Sequence, residues 1–85
     1  MNDLADEFEL RLTRRYGEFV PPQGLWKELG FATAASFRKA LSQHRVGVEV
    51  FEIDGRRGSF ARALDVARWQ AAVYANRRHN GRDSH

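Results

Sequence analysis

The chain has 85 residues, enough for one compact domain and too few for two. An apolar fraction of 42% with six Phe, two Trp and two Tyr supports a core, and the lack of cysteine excludes disulfides and thiolate metal sites. Net charge is only +3, but it is unevenly spread: residues 1 to 10 carry Asp3, Asp6, Glu7 and Glu9 and no base, whereas Arg38 to His85 hold ten Lys/Arg against five Asp/Glu.

Asp3 to Tyr16 sets Leu4, Phe8 and Leu12 four apart, the spacing of one helical face, with acids in the first turn where the helix dipole favours them. That face either completes the core or pairs with a second protomer. Gly17 closes the helix, and Glu18-Phe19-Val20 before Pro21-Pro22 reads as a short extended stretch, since a residue preceding proline is driven out of the helical region. A second, short helix spans roughly Pro22 to Leu29, buries Leu25 and Leu29, and stops at Gly30. Thr33 is a good N-cap for a third helix from about Ala34 to Gln43, with Phe37, Ala40 and Leu41 as its apolar stripe.

The period then changes. Val48 to Ile53 alternates as a half-buried strand, Asp54-Gly55-Arg56-Arg57-Gly58 supplies turn chemistry, and Ser59-Phe60-Ala61-Arg62 returns as the second strand of a hairpin. Asp65 caps a last helix on which Val66, Trp69 and Val73 share a face, and from Asn76 the polar run NRRHNGRDSH reads as a flexible basic tail. The expected order is α-α-α-β-β-α: a mainly α fold with a small β-hairpin, one domain over residues 1–75 and a tail over 76–85.

Two short helices joined by a Gly-containing turn and followed by a hairpin suit duplex DNA, because an α-helix fits the major groove and a basic hairpin tip reaches the flanking backbone or minor groove. The outward positions of the third helix carry Ser36, Arg38, Lys39 and Gln43, with His44 beyond them; Arg and Lys pair with guanine, and Gln with adenine. Thr33 stands at the N-terminus of that helix, where backbone amides attract a phosphate. Arg56, Arg57, Ser59 and Arg62 lie in the acid-free stretch Gly55 to Ala63, while Arg77, Arg78 and Arg82 add unspecific phosphate attraction. Trp26 and Trp69 are assigned to packing.

Catalysis finds no constellation. His44, His79 and His85 lack metal-ligand spacing, and the pairs Glu49/Glu52 and Asp6/Glu9 have the placement of solvated surface, so neither enzyme activity, cofactor nor metal is expected. No apolar run approaches the roughly 20 residues of a bilayer span, and MNDLADEFE has neither the basic nor the apolar region of a signal peptide. The expectation is a cytoplasmic, nucleoid-associated protein with no membrane contact.

The parts FVPPQGLWKELGF, ASFRKALSQHRV, VEVFEI-DGRRG-SFARA and DVARWQAAV, over about residues 19 to 73, resemble the excisionase and MerR-like winged helix-turn-helix group, which includes recombination directionality factors and pyocin-activator-like phage regulators. The resemblance implies a sequence-specific duplex-DNA-binding protein of a prokaryotic mobile element or prophage, acting in excisive recombination or transcription. Its implied partners are double-stranded DNA, an integrase or RNA polymerase, and further copies of itself assembling cooperatively on DNA. Two departures stand out: the acidic first helix is additional, and the turn between helices two and three is long for a strict helix-turn-helix, which displaces Phe37 and Leu41 from the expected core positions. An alternative from a different class is a module that docks an integrase or other partner through Leu4, Phe8 and Trp69 on its amphipathic helices.

Overall fold

The computed structural model describes the backbone of residues 3–83 and the side chains of residues 3–76. Four helices and a two-stranded antiparallel sheet follow in the order α1 (Leu4–Tyr16), β1 (Phe19–Val20), α2 (Pro22–Glu28), α3 (Ala34–Ser42), β2 (Ala61–Arg62) and α4 (Ala63–Asp83). Among the described residues no helix is long and apolar enough to cross a membrane.

Local chemistry sets most of these boundaries. The Asp3 carboxylate accepts from the Asp6 backbone N–H at 2.9 Å to start α1, and Gly17, at φ 91°, ends it by donating to the Thr13 carbonyl. Pro22 takes the first turn of α2, where no backbone N–H is needed. The core joins all of these elements, with Leu12 of α1, Val20 of β1, Leu25 and Leu29 about α2, Phe37 of α3 and Val66 of α4 buried together. The α1 face therefore completes this core: Leu12 is fully buried and Phe8 packs against it.

Three expectations are corrected. First, Phe37 is not displaced from the core but is only 4% exposed, and Leu41 packs against the same cluster. Gly30, at φ 85°, and Phe31 take up the long turn, and the Phe31 ring sits 5.5 Å from that of Phe37. Second, Val48 to Ile53 and Ser59 to Arg62 do not form a regular hairpin, since a single bridge joins Phe51 to Phe60 and the pairing strand for Ala61–Arg62 is β1. Val46, Val48 and Val50 pack against the core, and then Phe51 turns edge-on to Phe19, so the alternation slips by one residue and no continuous ladder survives. Third, α4 begins at Ala63, leaving Asp65 in its first turn rather than at its cap, and continues past Asn76 to Asp83. The expectation for Arg77, Arg78 and Arg82 lies outside the described side chains.

Polar contacts hold three helices together at one residue. The Glu28 carboxylate accepts from Tyr16 Oη at 2.9 Å, Gln70 Nε2 at 3.0 Å and Arg11 Nη2 at 3.1 Å, while Gln70 Nε2 also donates to the Glu28 carbonyl. Burial of Glu28 by itself raises its pKa, but the three donors outweigh that and hold the carboxyl below its ordinary range. Burial, and then the hydrogen bond to Glu28, push the Tyr16 phenol upward. Tyr16 reaches Glu28 over Gly24, where a Cβ would stand 2.5 Å from the tyrosine Cε1.

Glu28→Ala removes the acceptor shared by Tyr16, Gln70 and Arg11 and should lower stability by about 1–3 kcal/mol at neutral pH. Because the folded carboxyl has a depressed pKa, its contribution is complete above the ordinary value of 4.5 and is lost as pH falls from there through the folded value. Urea midpoints should thus drop more in the parent chain than in Glu28→Ala between about pH 6 and about pH 3. A gap that does not narrow with acid would contradict this.

Candidate nucleic-acid interface

α3 opens with reciprocal hydrogen bonds. Thr33 Oγ1 accepts the Ser36 N–H at 3.0 Å, Ser36 Oγ accepts the Thr33 N–H at 3.3 Å, and the Ser36 hydroxyl donates to the Thr33 carbonyl at 2.9 Å. Thr33 Oγ1 also donates to Ser36 Oγ at 3.2 Å. The hydroxyls of Thr33 and Ser36, both expected on the DNA-facing side, are therefore engaged in starting the helix. At the other end the Arg45 N–H donates to the Ala40 carbonyl and the His44 N–H to that of Leu41, with His44 in the left-handed region at φ 56°. Gln43, read as an adenine contact, has its side-chain oxygen occupied by Arg45 Nη1 at 2.7 Å.

Phe37 and Ala40 point into the core, and this leaves Arg38 and Lys39 exposed on the outer side of α3. The whole stretch Phe31 to Val48 contains no Asp or Glu, while it carries Arg38, Lys39 and Arg45. Arg45 is an interface candidate that sequence reasoning missed, although the acid-free surroundings were visible.

The loop after Ile53 meets α2 and α3 at a cleft of about 460 Å³ lined by Pro22, Gln23 and Trp26 of α2, Ala34, Phe37, Arg38 and Leu41 of α3, and Arg57, Gly58 and Ser59. Three of the sequence-derived residues, Arg38, Arg57 and Ser59, are thereby brought together from distant positions. Gly58 is the contact that holds the loop there: its φ is 90°, and a Cβ on it would stand 2.5 Å from Pro22 Cγ. Trp26 packs on the core and also lines the cleft, a dual placement that assigning it to packing alone did not capture.

The remaining expected residues lie elsewhere. Arg56 is exposed with its guanidinium 6.0 Å from the Phe60 ring centroid, a cation–π arrangement that turns it from the cleft lining. Arg62 sits in β2 opposite Phe19, and Lys39 and Gln43 are exposed on or just beyond α3 without lining the cleft. Among the described residues no group of His, Asp and Glu is placed to hold a metal ion.

Comparison with family models, with curated proteins and with solved structures finds no match to this chain.

Gly55 and Gly58 separate backbone strain from contact. Both have positive φ, at 80° and 90°, but a Cβ at Gly55 meets nothing within 4 Å. Gly55→Ala should cost about 1 kcal/mol of strain alone, and Gly58→Ala about 2–3 kcal/mol because it also forces the loop off Pro22. Thermal melts of the two variants give the order, and equal losses would mean that the loop does not rest on α2.

Proposed function

We propose that the chain binds duplex DNA, with α3 in the major groove and the loop at residues 54–58 on the flanking backbone, in a winged helix-turn-helix arrangement. The observation that carries this reading is that Arg38 and Arg57, distant in the chain, both line one cleft without a carboxylate among its lining residues. Two exposed guanidinium groups from separate elements, lining one cleft with no carboxylate beside them, give it a positive potential that an anion neutralises. A phosphate supplies that anion, and bidentate hydrogen bonds from each fork orient it.

Exposed Arg38, Lys39 and Arg45, in a stretch of chain without Asp or Glu, add positive charge on and just beyond α3, and exposed Arg56 adds more on the loop. The resemblance to excisionases and small phage regulators supports a role in excisive recombination or transcription at a mobile element. The docking alternative draws on Leu4, Phe8 and Trp69, yet Phe8 and Trp69 pack against this chain's own core, which favours the DNA reading.

Fluorescence anisotropy with a labelled duplex at several salt concentrations tests the proposal. Affinity should fall steeply with salt, and Arg57→Ala or Arg38→Ala should each weaken binding by about 1–3 kcal/mol and reduce the slope by about one phosphate contact. Arg14→Ala, on α1 and away from the cleft, should leave the slope unchanged. Duplex affinity that is absent, or indifferent to salt, overturns the reading.

A further inference from the structure

The lining of the cleft is richer than a phosphate-holding surface needs. Besides the two exposed arginines it includes half-buried Pro22, Trp26 and Leu41 and buried Phe37, and Gln23 and Ser59 add polar groups. A sugar-phosphate backbone is held by cations, amides and hydroxyls, and gives an indole nothing to cover. At about 460 Å³ the space falls within the range of small-ligand sites.

We propose that this cleft takes a single unstacked nucleotide, the base lying against Trp26 and the phosphate held between Arg38 and Arg57. Each part of the ligand meets its chemical complement. An aromatic side chain accepts any base, since every base has a π face. Two guanidinium forks suit a phosphate. Gln23 and Ser59 offer both donors and acceptors to a base edge. The Lys27 ammonium, 5.5 Å from the Trp26 ring centroid, engages that ring from outside the cleft lining and steadies it. Gly58 against Pro22 keeps Arg57 at the opening before any ligand arrives. The inference rests on the nucleic-acid reading above for its setting, in which a strand bent or opened at the bound site offers one nucleotide out of the stack.

The test is a titration of the full chain followed by ¹H–¹⁵N correlation spectra, in which the two indole resonances of Trp26 and Trp69 are distinguished by Trp26→Phe. The probes are thymidine monophosphate, an oligothymidylate of about ten residues and a duplex. The Trp26 indole and the Arg38 and Arg57 side-chain resonances should shift with the oligothymidylate while Trp69 stays in place, and Arg57→Ala, an exposed change, should weaken that binding about tenfold. A matching response to the monophosphate assigns the site to free nucleotides as well; a response to the oligomer alone assigns it to a strand, and both support the proposal. A Trp26 resonance that stays still with both probes overturns it. Duplex binding while Trp26 stays still with the monophosphate and the oligothymidylate leaves the DNA reading standing and removes this one, whereas oligothymidylate binding that shifts Trp26, without duplex binding, does the reverse.

Discussion

The acceptance of three donors by the Glu28 carboxylate positions α2, and through α2 everything on the basic side of the molecule. Tyr16 and Arg11 approach it from α1 and Gln70 from α4, so one side chain, 11% exposed, ties three helices together beside their shared apolar core. Gly24 admits the tyrosine ring to that junction. With the C-terminal end of α2 held, its first turn presents Pro22 at a set place, and the Gly58 backbone closes onto it. The cleft that Arg38 and Arg57 line thus includes the first turn, at Pro22, of the same helix whose far end the Glu28 carboxylate ties to α1 and α4.

The segment from Ser59 to Ala63 carries the connection between core and loop. Phe60 exchanges both backbone hydrogen bonds with Phe51 on one side, and Ala61–Arg62 pair with Phe19–Val20 on the other, after which the Ala63 N–H reaches the Glu18 carbonyl. A sheet of two short strands is marginal in water by itself. Here Phe60 and Ala61 are buried and the next residues enter α4, so the packing of the helix holds the ladder and the ladder anchors the loop.

On α3 the same economy separates structural from exposed groups. Thr33 and Ser36 satisfy the first amides of the helix, Phe37 and Ala40 bury its inner face, and Arg38 and Lys39 remain on the outside. The Thr33 and Ser36 hydroxyls serve the helix first, which concentrates the charged chemistry of this surface on its guanidinium and ammonium groups.

The extent of α1, α2 and α3 was legible in the residues because their limits are local. Asp3 and Thr33 cap the next turn, and Gly17 and Gly30 stop a helix by backbone conformation. The end of α4 was not, since a polar run without proline carries no stop signal and an established helix extends through it at little cost. The basic character of the third helix and of the loop was equally plain, being a matter of composition. Strand partnership was not: Ala61–Arg62 chose β1 over Val48 to Ile53 because Val50 and Phe51 break the alternation, while Val20 and Ala61 are buried side by side in the core. Sequence alone thus determined where the helices start and which segments carry positive charge, through interactions spanning one turn. Only the tertiary structure decided that Arg38 and Arg57 share a cleft and that Glu28 meets Arg11, Tyr16 and Gln70, because those placements join residues whose proximity exists only after the core has closed.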